Sequence, residues 1–121
     1  MANSKYKEQT EAAKARRREA GAYVKKLRTE AGLTQRELSE KLNLNYYTFI
    51  SQVESGAARV PPEQCLAWAA ALGVDGAKFS RNLFRCYDPH MFEAVFSSAA
   101  VDTKPDFVAT ITQRQKGAVE R

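Results

Sequence analysis

From Tyr23 onward the chain repeats its apolar residues at helical spacing, and the breaks between repeats mark six helices. Tyr23, Val24, Leu27 and Ala31 fall on one stripe, which predicts a packed first helix over about 16–31, stopped by Gly32. Leu38 and Leu42 give a second helix its buried face. Thr34, with Glu37 three residues later, has the reciprocal capping pattern in which each side chain takes up a free N–H at the helix start; Leu33 staples that start. Asn43-Leu44-Asn45 reads as a turn, since asparagine tolerates the left-handed backbone of a tight bend. Tyr46, Phe49, Ile50 and Val53 define the core stripe of a third helix over 46–54, which ends at Ser55-Gly56. A fourth spans about 62–72, with proline in its first turn and Gly73 at its end. A fifth follows Asp75 as cap over about 76–87, with Phe79, Leu83 and Cys86 or Tyr87 facing inward. Asp88-Pro89 restarts the chain, and Phe92, Val95, Phe96 and Ala99 show the i, i+3, i+4, i+7 pattern of a sixth helix.

The two ends read differently. The stretch from Ser4 to about Ala31 is rich in Ala, Glu, Lys and Arg, but residues 1–15 carry no sustained apolar period, so they read as a frayed basic arm. Gly21 interrupts the helical stretch behind them at a cost of about 1 kcal/mol relative to alanine. Residues 101–121 are mostly polar, with Pro105 and Gly117, and read as a disordered or partner-ordered tail. The predicted organisation is therefore the arm 1–15, a helical domain 16–87, an added helix over 88–100 suited to dimerisation, and the tail 101–121. No stretch has the turn chemistry of a β-hairpin. The fold class is all-α.

Composition narrows the chemistry. The chain has 121 residues, 44% of them apolar, enough for one small core. It has no apolar run long enough for a membrane span, and Met1 to Thr10 lacks the apolar core of a secretion signal. Two cysteines and one histidine exclude a dense disulfide frame and a Cys/His zinc site. The expectation is a cytoplasmic protein with no metal, no cofactor and no enzymatic activity, because His90 has no shaping motif around it for a catalytic triad. Cys65, Cys86 and Trp68 read as packing residues. The net charge of +5 is unevenly placed: residues 1–30 hold nine basic and four acidic side chains, while the remainder holds ten of each. A basic arm on a neutral body suits a polyanionic partner through phosphate neutralisation and counterion release; charge alone suits a solvated helix equally well.

The third helix adds chemistry to the charge. Thr48, Ser51, Gln52 and Ser55 project away from its apolar stripe, with Tyr47 on the flank. Solvated helix faces more often carry Lys and Glu. Uncharged hydrogen-bonding side chains can reach base edges or phosphate oxygens, and glutamine can pair with adenine through two bonds.

The run Leu27-Arg28-Thr29-Glu30-Ala31-Gly32-Leu33-Thr34-Gln35-Arg36-Glu37-Leu38-Ser39-Glu40-Lys41-Leu42, with Ile50-Ser51-Gln52-Val53-Glu54-Ser55-Gly56 and Leu66 to Val74, resembles the phage repressor and Cro-like family, also called the xenobiotic-response-element family. The likeness covers about residues 20–80. It implies a lambda-repressor-like five-helix DNA-binding domain, here with an added C-terminal helix. It also implies sequence-specific binding of double-stranded DNA by a transcriptional regulator, a repressor, which reads the major groove with helix 46–54. By the same resemblance Gln35 and Arg36 open the second helix beside a phosphate, and Asn45, Tyr47, Thr48, Ser51 and Gln52 occupy groove-facing positions. Ser55 and the following loop through Arg59 lie near phosphate. Ser39 is the small residue that lets the second and third helices approach, and Arg28 and Glu54 match a structural ion pair. Two departures stand out. Asn43 replaces the usual glycine of the turn, and the stretch from Leu42 to Ile50 is one residue longer than the commonest spacing. That leaves open which of Asn45, Tyr46 and Tyr47 enters the groove; the apolar stripe assigns Tyr46 to the core. A homodimer through residues 79–100 on a palindromic site is expected. Two other roles fit the same sequence: an antitoxin whose tail binds a toxin protein, and a protein-interaction module that has lost DNA.

Overall fold

A computed structural model describes residues 2–97, with side chains from Glu8 onward. The predicted tail 101–121 and Ala99 of the sixth helix lie outside the described residues. Among those described, six α-helices follow one another without a strand: α1 (Ala2–Glu30), α2 (Gln35–Lys41), α3 (Thr48–Ser55), α4 (Cys65–Leu72), α5 (Gly76–Tyr87) and α6 (Pro89–Phe96). The chain divides into two compact units between Tyr87 and Asp88. In the first, α1 packs on α3 and α5, α4 packs on α5, and α2 packs on α3 and α4.

The core of this unit is built from the stripes read in the sequence. Val24, Leu38, Ile50, Val53, Trp68, Phe79 and Leu83 are fully or almost fully buried. Trp68 donates its indole N–H to Gln64 Oε1 at 3.2 Å, which satisfies its one polar atom, and the Phe49 ring meets it edge-on at 6.2 Å. Thr34 and Glu37 form the expected reciprocal cap of α2, with Glu37 N–H on Thr34 Oγ1 at 3.0 Å and Thr34 N–H on Glu37 Oε1 at 2.8 Å. Asn43 takes the left-handed backbone, φ 57°, as the turn requires. Asp75 caps α5 through Lys78 N–H at 2.8 Å.

Four differences from the sequence reading have physical causes. First, α1 begins at Ala2 and runs for 29 residues. Its packed C-terminal half supplies the nucleus, so each added Ala, Glu, Lys or Arg extends an existing ladder instead of starting one. Second, Gly21 is a contact, not a defect in the helix. A Cβ there would collide with the backbone carbonyl oxygens of Glu54 and Val53, so glycine is what lets α1 cross the end of α3 closely. Third, the segment before α4 opens with a single 3-10 turn, Pro62–Gln64, instead of a continuous α-helix from Pro62. Fourth, Tyr46 is not in the core. It is 75% exposed, while Leu44 turns inward and packs against the core in its place. The extra turn residue is taken up as loop, and α3 starts at Thr48.

The second unit contains α6, with Pro89 in its first turn. The Phe92 and Phe96 rings lie 4.7 Å apart. Met91, Val95 and Phe96 are exposed.

Candidate nucleic-acid interface

The apolar spacing of α3 decides which of its side chains are free to meet a partner. Ile50 and Val53 are buried and Phe49 is half-buried, which leaves Thr48, Ser51, Gln52 and Ser55 exposed on the opposite face. An α-helix with its side chains is about 10–12 Å across, close to the width of a B-DNA major groove.

A polar cluster holds α3 from behind. Arg28 donates from Nε to Glu54 Oε2 at 2.6 Å and from a terminal nitrogen to Glu54 Oε1 at 3.1 Å. Its other terminal nitrogen reaches the Leu33 carbonyl at 2.8 Å. The Arg28 and Glu54 side chains are only 10% and 4% exposed, so this pair is buried and forked, the geometry in which guanidinium and carboxylate match best. It joins α1, the turn before α2 and the end of α3. The extra residue in the turn has left the expected ion pair intact.

Gln35 belongs to the same cluster. Its amide N–H donates to Glu54 Oε1 at 3.0 Å, so the side chain assigned to a phosphate by resemblance is engaged with α3. Ser39 is buried and donates from Oγ to the Arg36 carbonyl at 2.8 Å, which fits a small, internally satisfied residue between α2 and α3.

The remaining candidates precede or follow α3 in the chain. At its leading end Arg36 lies with its guanidinium 4.9 Å from the centre of the Tyr47 ring; Arg36, Asn45, Tyr46 and Tyr47 are all exposed. Past its other end, Ser55 Oγ donates to the Gln52 carbonyl at 3.1 Å and accepts Ala57 N–H at 3.4 Å, tying the start of the loop to the helix. Arg59 stacks on Tyr87 at 4.4 Å, and Tyr87 Oη accepts the Val60 N–H at 3.1 Å. The loop carrying Arg59 is thus pinned to the end of α5. Burial pushes the Tyr87 hydroxyl above its ordinary pKa, partly offset by that accepted bond. Burial likewise raises the Cys65 and Cys86 thiols, both free, above their ordinary pKa.

Sequence reasoning misses Tyr46 as a surface residue, and Gly21 and Gly56 as close-approach points. Gly56 sits at φ 91°, where a Cβ would press on the Arg18 backbone. A glycine inside a stretch of strong helix formers is the available signal for Gly21.

Among the described residues no three His, Cys, Asp or Glu side chains gather as a metal site. No helix there is long and apolar enough to cross a membrane.

No curated protein and no solved structure matches the chain. Residues 24–79 match the family model described as helix-turn-helix. That stretch spans the ion pair, the turn and the α3 face described above, and residues 24–79 form a helix-turn-helix domain of the phage repressor and Cro-like family of DNA-binding transcription regulators.

Proposed function

We propose that the protein binds specific sites in duplex DNA with α3 in the major groove and represses transcription by occupying a promoter. The observation that carries this reading is the arrangement around α3. An uncharged, hydrogen-bonding face (Thr48, Ser51, Gln52) is exposed on α3, with the Arg36 guanidinium held on Tyr47 just ahead of the helix and Arg59 in the loop that follows it, held on Tyr87. Duplex DNA presents the matching chemistry: base edges in the groove, which specify, between two phosphate strands, which position. Asn45 and Tyr47 approach from the turn, and Ser55 from the helix end. Gln35 holds Glu54 and so acts on the interface chiefly by fixing α3.

Dimerisation supplies the second half of the reading. Phe79, Leu83 and Cys86 of α5 are buried in their own domain. Of residues 79–100, the described apolar surface therefore belongs to α6, through Met91, Val95 and Phe96. A short helix with such a face gains from burial against a second copy, and two copies present two α3 helices to a palindrome.

Selection of bound duplexes from a random pool tests both parts. The expected product is a palindrome whose half-sites are centred about one helical turn apart. Recovery of no common sequence, with binding that depends on salt alone, would overturn specific recognition.

A further inference from the structure

The turn ahead of α3 leaves a large aromatic side chain outside the core. Its extra residue is accommodated by turning Leu44 inward and leaving Tyr46 outside, 75% exposed, two residues ahead of the first residue of α3. Beside it, Tyr47 carries the Arg36 guanidinium 4.9 Å above its ring. The guanidinium is attracted to the ring face, so the stack ties the tip of the turn to the start of α2. From Asn43 to Val53 there is no acidic side chain. An exposed aromatic ring, a braced cation and no carboxylate together suit a polyanion that offers an apolar group.

We infer that this tip is a thymine reader: the Tyr46 ring packs on the C5-methyl group of a thymine in the major groove, and the Arg36–Tyr47 stack positions it. The inference rests on α3 being the groove-entering helix, because the leading end of such a helix is the part that approaches base edges. The thymine methyl is the apolar group that the major groove displays among its donors and acceptors. Tyr46 is the large apolar side chain most exposed in the domain, and it stands two residues ahead of Thr48, the first residue of α3.

The test uses the full chain and the duplex recovered by selection, beside the same duplex with uracil replacing each thymine in turn. That exchange removes the methyl and keeps the base pair. Wild type should bind the uracil duplex about fourfold more weakly at each contacted position. Tyr46→Ala should bind both duplexes equally, and Tyr46→Phe should keep the preference. Arg36→Gln should reduce the ratio between the two duplexes, and Arg36→Lys, which keeps a cation over the ring, should restore part of it. Tyr46 is exposed, so its variants should unfold at the wild-type temperature. Equal binding of both duplexes by wild type would overturn the thymine reader while leaving DNA recognition standing. A full preference retained by Tyr46→Ala would place the methyl contact elsewhere, and one retained by Arg36→Gln would remove the stack's positioning role. Wild type that binds no duplex at low salt would remove both this inference and the function it rests on.

Discussion

Glu54 shows how single residues organise this domain, because its buried carboxylate accepts bonds from Arg28 twice and from Gln35 once. Removing its cationic partner leaves a buried charge uncompensated. Arg28→Met should therefore cost about 3 kcal/mol or more in urea unfolding; a loss below about 1 kcal/mol would mean that water reaches the carboxylate. Gly21→Ala makes an opposite test of intuition. In an exposed helix that change gains about 1 kcal/mol, but here the new methyl meets the Val53 and Glu54 carbonyls, so the midpoint should fall. Tyr87→Phe should cost about 1–3 kcal/mol, since the buried Val60 N–H loses its acceptor. The pH dependence of that difference has a definite sign. The Tyr87 pKa is raised in the folded state, so its contribution is complete below the unfolded value near 10 and is lost as pH rises through the folded one. The gap between wild type and Tyr87→Phe should accordingly narrow in alkali. The Arg28–Glu54 pair is legible through the family resemblance. Gly21 is not, because closeness to α3 is a property of the helix crossing and leaves no mark in local propensity.

At the scale of elements, the helices with a clear apolar period are legible to within a few residues, and the differences gather where periodicity is weak or the turn is long. The first half of α1 has almost no period, yet it is helical because it extends a packed helix. An aromatic on the apolar stripe draws the expected start of α3 back to Tyr46; Leu44, just past the left-handed Asn43, is the better-placed apolar group. The first 14 residues of α1 continue the helix over about 20 Å at 1.5 Å rise, ahead of Arg16, Arg17 and Arg18. Whether the arginines of α1 neutralise phosphate is read from salt dependence. Replacing Arg16, Arg17 and Arg18 with glutamine should weaken specific and non-specific DNA about equally. The slope of log Kobs against log salt should flatten by about 0.9 for each phosphate no longer neutralised. An unchanged slope would assign those charges to solvent.

At the scale of the whole molecule, the proposed pairing through α6 makes affinity for a site depend on two α3 helices reaching it together. If α6 pairs two chains, Phe92→Glu with Phe96→Glu should give a folded monomer, seen by sedimentation, that has lost most of its affinity for the palindrome. Wild type that stays monomeric at high micromolar concentration with and without DNA would contradict the pairing. The central claim is narrower: the exposed face of α3 reads bases. The most direct measurement compares wild type with the Ser51→Ala, Gln52→Ala double variant on the selected duplex and on unrelated duplex at one salt concentration. Each base pairing removed should cost about 1–3 kcal/mol on the selected site, with unrelated duplex bound as before and the thermal midpoint unchanged. A double variant that keeps the wild-type ratio between the two duplexes would show that α3 does not read the sequence.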